Sequence, residues 1–144
     1  LKGVLLEGPR PTRVGEAPAQ GASTPEAVYA QLDAFLDEIW KQVGTTGATS
    51  AQDVIALVDF IEIEFEIPAG VAPLFIAYAP GGENVDIALF GGDDVLAQDV
   101  EADNQPLVGL PAAQEVRTIK MRLSEPSSET PVNVGYRLSL IRAK

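Results

Sequence analysis

Two different spacings of apolar residues follow one another along the chain. In the first third, apolar residues recur every three or four positions while polar residues fill the opposite side, which is typical of an amphipathic helix. Ser23 or Thr24 can cap this helix, and Pro25 suits its first turn. Gly44 is a typical helix terminator. We predict a helix that packs on a sheet through a stripe of Val28, Leu32, Phe35, Leu36, Ile39 and Val43.

From Phe60 onward the spacing becomes two, which is the period of a half-buried β-strand. In the segment FIEIEFEI the apolar side chains and the glutamates therefore face opposite ways. The apolar set is Ile61, Ile63, Phe65 and Ile67, and the acidic set is Glu62, Glu64 and Glu66. Six further segments are predicted as strands, with turn signals such as PAG and GGDD between them. They are PLFIAYA, VDIALF, VLAQDV, PLVGLP, EVRTIKMRL and VNVGYRLSLIR.

Several of these strands have a predicted place in the fold. PLFIAYA is almost wholly apolar, so we expect both of its faces to be covered. VLAQDV should pair back as a hairpin, and PLVGLP should be a short edge strand because prolines stand at its ends. The segment AQDVIALV, which comes before FIEIEFEI in the chain, fits either a short helix or a strand. The predicted fold is mainly β: an antiparallel β-sandwich of about seven strands, jelly-roll or immunoglobulin-like, behind an extended N-terminal arm and one helix.

Opposite charges on two of the strands predict that these strands are neighbours. Glu62, Glu64 and Glu66 repel one another unless they are solvated or paired. Lys120 and Arg122 present the opposite charge at the same spacing, with Ile119, Met121 and Leu123 of the same segment predicted to face inward. The last strand should likewise direct Val134, Tyr136, Leu138 and Leu140 inward.

The pattern divides the chain into three parts. Residues 1–23 are predicted to be an extended arm, because their prolines and glycines prevent a continuous helix. Residues 24–57 form a helical segment that packs on the sandwich, and residues 58–144 form the sandwich itself. Fully extended, the arm reaches roughly 75 Å. Its first part, LKGVLLEG, is short and apolar enough to pair as a strand.

Composition excludes several classes of function. The formal charge of −11 argues against nucleic acid and against anionic membrane surfaces, whose phosphates would be repelled. No apolar run is long enough to cross a membrane. Cysteine and histidine are absent, which removes thiol nucleophiles, Ser-His-Asp triads and His-ligated zinc. We therefore predict that the protein is not an enzyme, with carboxylate-based catalysis as the remaining catalytic alternative.

The charge is unevenly distributed between the arm and the rest of the chain. Through Glu16 the arm carries three basic and two acidic residues, a net charge of +1, which leaves −12 on the remainder of a chain of charge −11. A cationic arm is attracted to an anionic body, its own or a neighbour's. The predicted partner-binding residues are Leu1, Lys2, Val4, Leu5, Leu6, Arg10 and Arg13.

One acidic stretch is a candidate calcium site. Calcium binds six to eight oxygen ligands, and loops dense in aspartate supply them. The candidates are Asp93, Asp94, Asp99, Glu101 and Asp103. Their spacing matches no EF-hand loop, and the turn signal GGDD accounts for two of them without a metal. No other cofactor is expected.

Four segments form a further pattern: FEIPAG, VDIALF, VLAQDVEADN and the late strand VGYRLSLI. On these segments, over about residues 58–142, the chain resembles the pre-peptidase C-terminal-like domain. The family consists of β-sandwich domains of secreted bacterial proteins. The resemblance implies an extracytoplasmic, non-catalytic module of accessory or binding type, and some members bind calcium.

Two main hypotheses about function follow. The first is a structural subunit whose arm docks on a neighbouring copy, by strand addition, in a filament, shell or other homo-oligomer. Such a subunit would be secreted, periplasmic or on the cell surface, with a virion surface as the alternative. The second is a secreted accessory module that binds a polymer or another protein.

Overall fold

The computed structural model describes residues 25–44, 46–101, 103–125 and 131–142. Within these ranges the chain forms one helix and eight strands, which follow one another in this order: α1 Pro25–Val43, β1 Ala48–Leu57, β2 Asp59–Ile67, β3 Val71–Tyr78, β4 Asp86–Gly91, β5 Asp94–Asp99, β6 Leu107–Gly109, β7 Arg117–Glu125 and β8 Val132–Arg142. The helix is not long and apolar enough to cross a membrane.

The strands form two four-stranded sheets that pack face to face. The first sheet has the strand order β1-β8-β3-β6 and the second has the order β2-β7-β4-β5, and all pairs are antiparallel. The predicted mainly-β sandwich with one helix ahead of it is therefore confirmed. The hairpin of β4 with β5 and the edge position of β6 are also as predicted.

The ambiguous segment AQDVIALV is a strand. It belongs to β1, which pairs with β8 from Ala48 opposite Leu140 to Leu57 opposite Val132. Local spacing could not decide this, because the segment takes its conformation from a strand far away in the chain. Gln52, for example, lies opposite Arg137, which is 85 positions further along the sequence. The sandwich consequently has eight strands and begins at Ala48, where the sequence placed its start at residue 58.

Side chains from both sheets fill the space between them. The inward residues predicted for β7, Ile119, Met121 and Leu123, are buried there. The inward residues predicted for β8 lie there as well: Val134, Tyr136 and Leu138 are buried, and Leu140 is partly buried against the same core. From β2, Ile67 is buried, whereas its three other apolar side chains are only partly buried.

The helix covers the outer face of the first sheet and forms a second apolar layer. The predicted stripe is confirmed: Val28, Leu32, Phe35, Leu36 and Ile39 are buried, and Val43 packs against the same cluster. The sheet contributes Ala72, Leu74, Ile76, Tyr78 and Ile141 to this layer. Strand β3 is buried along its whole length, because alternate residues face the helix and the second sheet. The molecule is thus layered helix, sheet, sheet.

Candidate functional site

The two sides of the sandwich are closed to different degrees. On the side of β5 and β6, the segment between these strands is fastened to the body by main-chain hydrogen bonds. Ala77 N donates to Pro106 O (3.2 Å), Ala79 N to Asn104 O (3.0 Å) and Val85 N to Asp103 O (3.1 Å). Asn104 is also buried and its amide donates to Ala79 O at 2.9 Å. This segment bridges the two sheets and covers the core there.

The opposite side, formed by β1 and β2, has no such cover among the described residues. Strand β1 is the edge of the first sheet and β2 is the edge of the second. Only Val58 separates the two strands, so the chain crosses from one sheet edge to the other on the same side of the sandwich. Asp59 makes this crossing with a positive φ of 64°, a conformation that aspartate tolerates better than most residues.

Apolar side chains along this side are only partly buried. We call it the open side and define it by Ala51, Ile55, Ile61, Ile63 and Phe65, which are partly buried and pack against the sandwich core. The ring of Phe65 lies 5.7 Å from that of Phe75 and 6.3 Å from that of Tyr136, centroid to centroid. The open side is therefore continuous with the core, and another chain that covered it would bury further apolar surface.

Strand β2 presents a long and regular edge. It pairs with β7 without interruption from Asp59 opposite Glu125 to Ile67 opposite Arg117. No proline stands among its nine residues, and no described strand pairs with its other edge. An unpaired edge exposes a row of main-chain N–H and C=O groups that another strand can pair with.

The outer face of β2 carries the three glutamates, and the structure confirms that β7 lies beside it. Glu62 stands opposite Arg122, and Glu64 stands opposite Lys120. The Nε and Nη2 atoms of Arg122 donate to Oε2 of Glu62 at 2.9 and 2.6 Å, and Lys120 Nζ lies 3.7 Å from Glu62 Oε1. The hydrogen bonds from Arg122, aided by the charge of Lys120, lower the pKa of the Glu62 carboxyl.

The guanidinium of Arg122 also stacks on aromatic rings. It lies 5.0 Å from the ring centroid of Phe60 and 4.9 Å from that of Phe90. Lys120 Nζ lies 5.6 Å from the ring centroid of Phe90, so Lys120 and Arg122 are both engaged with Glu62 and with aromatic rings. Glu64 and Glu66 are exposed and form no ion pair with the described residues. The part of β2 beyond Glu62 thus has two carboxylates whose charge is not neutralised there.

The candidate calcium ligands fall into two groups at opposite ends of β5. Asp93 and Asp94 are exposed at the β4–β5 turn, where Gly92 adopts a positive φ of 64°. Asp99 ends the strand and is buried; its Oδ1 accepts from Glu101 N at 3.1 Å and its Oδ2 from Leu107 N at 2.8 Å. These main-chain contacts give Asp99 a role in fastening the closing segment.

Asp103 has a similar role, since its Oδ1 accepts from Gln105 N at 3.0 Å. Close by, burial raises the pKa of the Asp86 carboxyl, and the charges of Asp99, Asp103 and Glu125 raise it further. Within the described ranges, no three acidic side chains are arranged to hold a metal ion. Calcium binding stays a prediction.

The predicted arm lies outside the described residues, and with it Leu1, Lys2, Val4, Leu5, Leu6, Arg10 and Arg13. The sequence identified β2 as a strand but missed its position at a sheet edge. Its signal, regular alternation of Ile or Phe with Glu, is the same for an edge strand and a central strand with one solvated face. The residues that define the open side could therefore not be recognised before the sheet order was known.

Comparison with known proteins supports the fold. No protein-family model matches the chain, and no curated protein sequence matches it significantly. Among solved structures, the chain is similar to the pre-peptidase C-terminal domain of a collagenase from Bacillus anthracis, with a TM-score of 0.52. The match covers 63% of this chain and 90% of that domain, at 7% sequence identity. The two share a fold. The resemblance predicted from the sequence is thus confirmed at the level of architecture.

A second similar structure is that of a periplasmic inhibitor of g-type lysozyme from Aeromonas hydrophila. That match has a TM-score of 0.43 and 16% identity, and it covers 65% of this chain and 87% of the inhibitor. At these identities a structural likeness concerns the fold alone, so function has to be argued from the surface of this chain.

Proposed function

We propose that this protein is a non-catalytic assembly module whose N-terminal arm, residues 1–23, docks on a neighbouring copy by strand addition. The observation that carries the proposal is the open side, where β1 and β2 end their sheets and leave apolar side chains of the core only partly buried. The far side, by contrast, is covered by a hydrogen-bonded segment of the same chain. One side of the sandwich is available to a further strand.

Strand addition suits both partners physically. Main-chain hydrogen bonds along an edge supply affinity that depends little on the sequence of the added strand. Apolar residues of the arm that share one strand face, such as Leu1 and Leu5, would shield Ile61, Ile63 or Phe65 from water, and burial contributes about 25 cal/mol per Å² of apolar surface. The attraction between an arm of charge +1 and a body of charge −12 adds to this.

A non-catalytic role is supported by the residue types of the chain. The sequence contains no histidine and no cysteine, so the usual general base near neutral pH and the thiol nucleophile are both missing. Its aspartates near the β5 end, Asp99 and Asp103, accept hydrogen bonds from main-chain N–H groups. Such contacts favour a structural role for them over acid–base chemistry.

Mass in solution tests the proposal. The full chain and a chain lacking residues 1–22 are measured by light scattering over a range of concentrations. We expect the full chain to form oligomers and the truncated chain to be monomeric, because the truncated chain keeps the acceptor and has lost the donor. The control is circular dichroism of the truncated chain, which should retain the β-rich spectrum and α1. Monomers of both chains at the highest concentration would contradict the proposal.

A second candidate is an accessory module of a secreted or periplasmic protein that binds a polymer or another protein. The observation that favours it is the fold shared with a pre-peptidase C-terminal domain of a collagenase. In this alternative the open side receives a segment of a different protein, and the arm connects the module to its surroundings. The mass measurement separates the two, because an accessory module of this kind need not self-assemble through residues 1–22.

A further inference from the structure

We infer that the acceptor on the neighbouring copy is the free edge of β2, and that Glu64 and Glu66 select the cationic arm. This inference rests on the proposed function and adds to it the place and the chemistry of the contact. The arm of one copy would extend the second sheet of another copy beyond β2.

The other three sheet edges are poorer acceptors. Strand β6 is three residues long and stands between Pro106 and Pro111. The β5 edge has a register irregularity between Leu89 and Phe90 of its partner strand, and β1 has one between Thr49 and Ala51. Irregularities of this kind twist an edge and interrupt pairing, whereas the nine residues of β2 keep one register throughout.

The apolar residues of β2 favour an added strand on the same edge. Ile61, Ile63 and Phe65 point toward the core but are only partly buried, unlike Ile87 and Leu89 of the central strand β4, which are fully buried. The difference is that β4 has a strand on each side and β2 has one. A strand placed beside β2 would give β2 a neighbour on each side, as β4 has in β7 and β5, and would bury its apolar side chains further.

The charges of β2 and of the arm match as well. Glu64 and Glu66 lie on the outer face of the second sheet, without an ion-pair partner in the described part of the chain. Side chains alternate along a strand, so an added strand that directs Leu1 and Leu5 toward the core directs Lys2 toward this outer face. An ammonium group beside two unneutralised carboxylates favours binding and selects against acidic strands.

Charge reversal tests the acceptor. The double variant Glu64→Lys, Glu66→Lys is compared with the control Asp93→Lys, Asp94→Lys, which makes the same change in net charge at the exposed β4–β5 turn. We expect arm-dependent assembly of the first variant to weaken by at least about tenfold, and that of the control to stay close to the original. Circular dichroism verifies that both variants are folded. If the lysine variant of β2 does not fold, the double variant Glu64→Gln, Glu66→Gln takes its place in the comparison.

Disulfide trapping provides a second readout, since the chain has no cysteine of its own. A Val4→Cys chain is mixed under oxidising conditions with a Glu64→Cys chain that lacks residues 1–22. We expect a covalent heterodimer, and far less of it when Asp94→Cys replaces Glu64→Cys on the truncated chain.

The outcomes distinguish the inference from the proposed function. If the full chain assembles through its arm but the Glu64 and Glu66 variants behave like the control, the β2 edge is not the acceptor and the proposed function stands. Equal cross-linking to positions 64 and 94 also overturns the inference. If the full chain does not assemble at all, the proposed function fails and the β2 acceptor fails with it.

Discussion

At the scale of single residues, the least expected group is Arg137 of β8. Its side chain is buried between the helix and the first sheet, where Nη1 is hydrogen-bonded and ion-paired to Oδ1 of Asp33 and Nε donates to Oε1 of Gln52 at 2.8 Å. Gln52 is its register partner on β1. Asp33 is one of the polar residues on the side of the helix opposite the apolar stripe, and its carboxylate is largely exposed. The buried arginine thus ties α1 to the edge strand β1.

Asp86 has unfavourable surroundings for a charged group. Its Oδ1 is buried and has no hydrogen-bond partner among the described residues, and three other carboxylates raise its pKa in addition to burial. In the folded protein the neutral form is therefore favoured relative to the unfolded chain. Above the folded-state pKa the ionised form lowers the free energy of unfolding, and this penalty disappears as pH falls below the ordinary aspartate pKa of 3.8.

We predict that Asp86→Asn raises the free energy of unfolding at pH 7 and leaves it unchanged well below about pH 3.8, where Asp86 is protonated in the folded and the unfolded state. Urea denaturation at the two pH values measures this difference. Asp93→Asn, which removes the same charge from an exposed turn, is the control and should have little effect at either pH. A loss of stability of Asp86→Asn at pH 7, or a gain that does not depend on pH, would show the argument to be wrong.

At the scale of elements, the position of α1 depends on one small residue beneath it. Gly135 of β8 lies under Val28, and a Cβ atom built on Gly135 would lie against Val28 Cγ1, well inside van der Waals contact. Val28 is fully buried and cannot move outward without lifting the helix. The sequence predicted the helix, its stripe and its packing on a sheet, because these depend on local spacing. The close approach of the helix to Gly135 could not be predicted, because local spacing does not show which strand lies beneath the helix.

We predict that Gly135→Ala lowers the free energy of unfolding by about 1–3 kcal/mol, the usual cost of an overpacked core. Chemical denaturation measures it. In the double variant Gly135→Ala, Val28→Ala the loss should be smaller than the sum of the two single losses, because the second change removes the clash. Ser139→Ala is the control on the same strand, since its buried Oγ has no described partner and its removal should cost little. Additive losses would contradict this explanation.

At the scale of the whole molecule, charge and sheet order act together. The formal charge of −11 is the balance of a cationic arm and a strongly anionic body. The sheet order puts the unpaired carboxylates of β2 beside a regular edge. In the proposed docking, charge attraction and main-chain pairing would therefore both act on the arm. Such attraction is screened by salt, whereas burial of apolar side chains is not.

We predict that arm-dependent assembly weakens several-fold when NaCl rises from about 0.1 M to about 1 M, since the screening length falls from about 10 Å to about 3 Å. Analytical ultracentrifugation of the full chain at the two salt concentrations measures the dissociation constant. The chain without residues 1–22 is the control and should remain monomeric at both. Assembly that strengthens over this range would mean that apolar contact, and not charge, drives the docking.

Sequence alone determined what local spacing encodes in this protein. Residue type and period predicted the amphipathic helix, the inward and outward faces of β2, β7 and β8, and the doubly covered strand β3. The lack of histidine and cysteine can be read directly from the composition. The matching charges of β2 and β7 even predicted one pair of neighbours. Only the tertiary structure decided that AQDVIALV is a strand, that Arg137 is buried and that β1 and β2 end their sheets on one side. The physical reason is that an edge is defined by the absence of a neighbour, and neighbours are set by contacts between residues far apart in the chain.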